Sequence, residues 1–253
     1  MPATQDIKKM QEERNKIFGD FYSNKIPKRM PVSFSLPNHL IAQYGGIDPF
    51  EFQYDFSLLK ETAHELCCKI ISDSLPVAPA GWTTRTPAFY GILGSKTFVM
   101  GNNGYVQHPE VAGMEADEYD KLIKDPINFI ASTVIPRMYN NLDPQKPLKM
   151  HKAYETAKAA MAEDVGKTAA YCKEFKEEFG YYKGAPLGSG GFTAAPFDYL
   201  SDQLRSFSGI SLDIRRNKEK IKEACEVLLP LMFLQGMPAK PHCEGAVGMP
   251  LHM

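Results

Sequence analysis

The chain has 253 residues, 43% of them hydrophobic and 23% charged, which is enough apolar material for a core and too mixed for a disordered or collagen-like polypeptide. Lys+Arg number 29 and Asp+Glu 30, a net charge of −1, which removes the basic footprint that nucleic-acid binding needs. The first residues are charged without an apolar leader run, and no window reaches about 18 uninterrupted apolar residues, so a cytoplasmic protein with no membrane span is expected.

Residues 4–20 are polar and helix-favouring, with Met10, Ile17 and Phe18 supplying a thin apolar stripe, a pattern that predicts an amphipathic opening helix. Pro27-Lys28-Arg29 breaks it. Met30 to Leu36 then alternates like a first strand, with Pro31 at a position where a strand begins without losing a needed donor. Leu59, Ala63, Leu66, Cys67 and Ile70 recur at helical spacing and predict a helix over 57–71, which runs into a second strand at 72–77. Lys96–Met100 and Tyr105–Gln107 flank Gly101-Asn102-Asn103-Gly104 and read as an antiparallel hairpin.

Helices are expected at 116–124, again from Asp125-Pro126 with Asp as cap and Pro as first helical residue, and over 148–179 with Gly180 closing the end. Two more are expected at 196–206 and 218–234, and the apolar run Gly245–Leu251 reads as a last strand. The glycine-rich run Gly184–Phe192 has neither a Gly-Lys-Ser/Thr close nor a G-x-G-x-x-G after a strand, so it is not read as a phosphate loop. Cys67, Cys68, Cys172, Cys225 and Cys243 are odd in number and lack C-x-x-C spacing, which fits reduced thiols. The alternation of helix and strand predicts an α/β fold in which 31–36, 72–77 and 246–251 are neighbours in one parallel sheet.

Three stretches occur in a recognisable order: Arg29-Met30-Pro31-Val32, Ile71-Ser72-Asp73-Ser74-Leu75 and the segment Ala195–Arg205. Together they resemble the uroporphyrinogen decarboxylase superfamily, which includes the cobalamin-dependent methyltransferases. Met114–Asp120, Asp125-Pro126 and Pro136-Arg137 are similar to its uncharacterised methyltransferase-like branch. The resemblance implies an incomplete TIM-type (β/α)8 barrel with an N-terminal helical extension and a small hairpin excursion, a single domain over 1–253. The active site would lie at the C-terminal ends of the strands. Family members are longer, and Met249–Met253 resembles a strand from mid-barrel. A chain truncated at its C-terminus is therefore expected, self-associating through the edge and helix faces left uncovered.

Within the resemblance, Asp73 matches the aspartate that accepts hydrogen bonds from pyrrole N–H groups and stabilises the positive charge of a protonated ring, and so is the catalytic candidate. The competing reading is an N-cap or a loop ion pair. His39 falls in a substrate-facing loop, Leu36–Leu40, where the decarboxylases carry Arg-Gln-Ala-Gly-Arg; it is a candidate ligand contact or a surface residue. Asp198, Asp202 and Arg205 stand four and three apart, on one helix face, and are candidates for the pocket mouth or for an exposed ion-pair face.

Losing both loop arginines favours corrinoid-linked methyl transfer in the full-length form over uroporphyrinogen decarboxylation, with a non-catalytic binding fragment as the third alternative. The implied partner is a tetrapyrrole-related small molecule or a corrinoid protein; the implied cofactor is a corrinoid for longer family members and none for this chain. Pro241-His242-Cys243-Glu244 offers three donor types, but adjacent residues do not converge on a tetrahedral ion, so no metal site is expected.

Overall fold

The polar opening segment docks through two apolar residues, Ile17 and Phe18, and through Gln11 and Arg14, which donate to carbonyls between Lys176 and Tyr181. Ile17 and Phe18 are buried in the first helix, while Met10 stays in solvent. The computed structural model describes residues 4–77, 87–184 and 193–236. In chain order the helices begin with α1 (Thr4–Tyr22), α2 (Asn38–Gly45) and α3 (Pro49–Phe52), then a 3-10 turn at Phe56–Leu59, α4 (Lys60–Lys69) and α5 (Pro87–Leu93). A short hairpin follows, β1 (Val99–Met100) and β2 (Val106–Gln107). After it come α6 (Tyr119–Lys124), α7 (Pro126–Phe129), a π turn at Ile130–Val134, α8 (Ile135–Met138) and the long α9 (Pro147–Glu178). The remainder is α10 (Pro196–Tyr199), a second π turn at Leu200–Arg205, α11 (Phe207–Arg216) and α12 (Lys218–Gly236).

The α/β expectation and the incomplete TIM-type barrel are overturned. Helix makes up 66% of the described residues, and the sheet among them is β1 and β2 alone, antiparallel, with Val99 opposite Gln107 and Met100 opposite Val106. Segments 31–36 and 72–77 do run side by side in parallel, but they meet in one bridge, Leu36 to Val77. Side chains take the places a ladder would use: Phe34 N–H donates to the Ser72 hydroxyl at 3.2 Å and Val32 N–H to the Asp73 carboxylate at 2.8 Å. Pro31 and Pro76 have no N–H to offer. The strand expected at 246–251 lies outside the described residues.

Contacts divide the chain into two compact units, Met1–Thr86 with Met161–Ser189 and Lys240–Met253, and Pro87–Ala160 with Gly190–Ala239. The first is built on Phe56, Leu59, Ala63 and Leu66 from the 3-10 turn and α4, packed with Tyr171, Cys172 and Phe175 of α9. The same helical spacing that marked 57–71 in sequence supplies this stripe. Gly180 ends α9 with a φ of +62°, and a Cβ there would stand 2.7 Å from the Ile7 carbonyl oxygen, so glycine is required both for the turn and for the approach of α1.

The second unit closes around Tyr119, Leu122, Leu200, Leu204, Ala224 and Leu228. Asp125 caps α7 by accepting from Asn128 N–H, with Pro126 in the first turn, as the sequence indicates. Among the described residues no helix is long and apolar enough to cross a membrane.

Candidate functional site

Asp73 sits where two of the motif stretches meet. Its side chain is buried, 6% exposed, and its oxygens are fully engaged. Arg29 forks onto it, Nη1 to Oδ2 at 2.6 Å and Nη2 to Oδ1 at 2.7 Å, while Val32 N–H adds 2.8 Å to Oδ2 and Arg14 Nε approaches Oδ1 at 3.4 Å. Burial pushes the Asp73 carboxyl up, but the Arg29 fork, the Val32 amide and the Arg14 charge outweigh it and hold it below the usual carboxylate range. The backbone is tied as well: Asp73 N–H donates to Val32 C=O, and Tyr182 N–H donates to Asp73 C=O. Arg14 also donates to the Phe179 and Gly180 carbonyls, so this carboxylate gathers α1, the segment after it, the 72–77 segment and the end of α9.

Beyond the Leu36–Val77 bridge the chain turns into α2. His39, its second residue, is exposed. Asn38, its first, is 6% exposed, and both side-chain amide atoms are buried with no hydrogen-bond partner. Pro37 precedes it at the cap position and has no side-chain acceptor to give the first turn. A buried amide left in this state costs about 1–3 kcal/mol per unsatisfied group. Sequence reading passes over Asn38, because an asparagine after Pro37 looks like ordinary helix-start chemistry; its burial depends on tertiary packing.

Asp198, Asp202 and Arg205 do not share a face. The π turn over Leu200–Arg205 widens the helix. Asp198 and Asp202 remain exposed, and Arg205 turns inward to 7% side-chain exposure. There Arg205 Nε donates to Asp213 Oδ2 at 2.6 Å, Nη1 donates to the Met114 carbonyl, and Tyr119 hydroxyl donates to the same Asp213 oxygen at 2.8 Å. Burial raises the Asp213 carboxyl, and the Arg205 and Tyr119 hydrogen bonds more than reverse this. Asp202 instead lines a cleft of about 230 Å³ with His108, Glu110, Ser201, Ser206 and Phe207. His108 is fixed by stacking on Phe98, centroids 4.5 Å apart at 16°, with its Nδ1 3.7 Å from Asp202.

Other chemistry-bearing groups are quieter. Cys67 and Cys172 are buried, and desolvation pushes each thiol up to about 12, which leaves them unreactive near neutrality. Among the described residues no group of three or more His, Cys, Asp or Glu is placed to hold a metal ion, and 241–244 lies outside them. No family model, curated protein or solved structure matches the chain.

Proposed function

We propose that the chain binds a tetrapyrrole-related ligand, with corrinoid-linked methyl transfer as the activity it serves, and that its ligand contact lies at the end of the Leu36–Val77 pair. The sequence resemblance suggests the ligand class, and its first two stretches are joined in space by the Arg29–Asp73 fork. In this reading Asp73 is a positioning residue, since its carboxylate is already spent on Arg29, Arg14 and Val32. The observation that carries the site is the Asn38 amide, a donor and an acceptor held ready at the first turn of α2 with nothing to bond. Both amide atoms are buried, so a ligand reaches them only by displacing what covers them; a ring edge carrying N–H and acceptor groups then satisfies both, and a polyanion finds no arginine in Leu36–Leu40.

The test is an absorbance titration with aquocobalamin beside a fluorescence titration with uroporphyrin. Saturable corrinoid binding, weakened at least tenfold (about 1.4 kcal/mol) by Asn38→Leu, is expected, with uroporphyrin the weaker ligand. The same substitution removes an unsatisfied buried amide and keeps its shape, so melting temperature holds or rises. Absence of corrinoid binding, or equal binding by wild type and Asn38→Leu, overturns the proposal.

A further inference from the structure

The segment that runs beside Asp73 leaves one of its own edges open. Val32 and Phe34 donate their N–H groups to the side chains of Asp73 and Ser72, and Leu36 donates to the Pro76 carbonyl. Alternation along an extended chain therefore turns the backbone groups of Pro31, Ser33, Ser35 and Pro37 to the opposite side. Ser33 and Ser35 are exposed, and among the described residues no hydrogen bond reaches the backbone N–H or C=O of either. Pro31 and Pro37 have no N–H, so the open edge is Ser33 to Ser35 with a proline at each end. Val32 and Phe34, each 47% exposed, stand beside it on one face, in line with the partly buried Leu36.

The two prolines decide what fits this edge. They lie three residues to either side of Phe34. An antiparallel copy of the same segment, in register about Phe34, sets Pro37 opposite Pro31 and Pro31 opposite Pro37, so the missing donors face one another. A strand of unrelated sequence would present its own carbonyl to a missing donor at each end. In the self-paired register Ser33 and Ser35 of the other copy exchange both backbone bonds. Phe34 meets Phe34 at a position without backbone bonds, where Cα atoms stand about 4.5 Å apart, and Val32 lies opposite Leu36. The prolines stop the ladder there, which favours a closed two-fold pair over open-ended stacking.

We propose that Pro31–Pro37 is a homodimer edge, through which two copies of the chain join antiparallel about Phe34. The contact is short and belongs to the small, transient class of interface, so the dimer forms as concentration rises. The experiment is sedimentation velocity of the full chain over a concentration series, with amide hydrogen exchange at Ser33 and Ser35 read at both ends of the series. A monomer–dimer equilibrium is expected, with no larger species and with both amides protected only in the dimer. Phe34→Lys sets like charges opposite one another and raises the dissociation constant at least tenfold. Its melt at low concentration superimposes on wild type, because the side chain it replaces is half exposed. Phe34→Cys, in a chain that also carries Cys68→Ser, forms a disulfide to its own copy under oxidised glutathione; Ser35→Cys, which faces Ser33 in this register, does not. The proposal is overturned if the chain stays monomeric at the highest concentration, or if Phe34→Lys leaves the dimer intact and Phe34→Cys fails to cross-link. Protection of the Ser33 and Ser35 amides in the monomer also overturns it, since a segment of the chain itself then covers the edge. No variant replaces Asn38, so corrinoid binding and dimerisation are kept or lost separately.

Discussion

Asp73 in the first unit and Asp213 in the second are both buried carboxylates gripped by arginine, yet they differ in where the arginine stands. Arg29 has 44% of its side chain in solvent, whereas Arg205 has 7%. An arginine that keeps one side in water rehydrates when its partner is lost, and one sealed inside does not. The Asp73 knot is therefore a clasp between chain segments, while the Arg205–Asp213–Tyr119 knot is part of a core. Removing one member of a sealed pair leaves a stranded charge, which costs more than the pair itself contributes.

The sharpest break of that comparison is Arg205→Met. It leaves Asp213 charged and buried with only Tyr119 and Asn217 as donors, and a loss of about 3–5 kcal/mol in urea unfolding is expected. A loss below about 1 kcal/mol would mean that the second knot, too, is merely a clasp.

Glu118 comes next. Arg137 beside it, with Glu115 N–H and Lys121, holds its carboxyl down at about 2. Because the folded value lies below the unfolded value of about 4.3, the stabilisation is complete above the unfolded value and is lost as pH falls through about 2. Melting temperature should therefore be level from pH 7 to about 5 and drop toward pH 2; Glu118→Gln lowers it at pH 7 by the equivalent of about 2–3 kcal/mol and flattens the drop. Asp73 and Asp213 are shifted in the same direction and add to the acid limb.

Asp73→Asn is expected to cost less than Arg205→Met, about 1–3 kcal/mol, because Arg29 turns to water and Arg14 keeps the Phe179 and Gly180 carbonyls. A cost equal to that of Arg205→Met erases the distinction between clasp and core. The smallest effect is Asp202→Asn, within about 0.5 kcal/mol by thermal unfolding, since its carboxylate is exposed and binds no buried partner.

What could be read in advance follows from what is local. Helical periodicity places α9 and α12 within two residues of their ends, and Asp125-Pro126 starts a helix because cap and ring act on neighbouring atoms. The hairpin is equally local, set by the turn between Lys96 and Gln107. The sheet is not. Alternation in 30–36 states which side chains suit an extended chain, but a sheet also needs neighbours, and Ser72, Asp73, Pro31 and Pro76 turn the one available neighbour into side-chain bonding.

Site residues divide the same way. Asp73 is visible as a carboxylate in a motif, but its engagement depends on Arg14 and Arg29, far apart in sequence from it and from Phe179. Arg205 looks like a surface residue at regular spacing, and a departure from regular spacing brings it inside. Asn38 carries no local signal of its isolation.

The two π turns among the described residues, Ile130–Val134 and Leu200–Arg205, lie in the second unit. Such a turn has the signature of a one-residue insertion absorbed without breaking the helix. Deleting one residue between Leu200 and Arg205 would close the widened loop into ordinary α-helix and swing everything after it by about 100°. Leu204 would leave its place beside Leu200, and Arg205 would rotate off Asp213 toward solvent. The residue count from Pro196 to Ser206 is thus fixed by where one guanidinium must end.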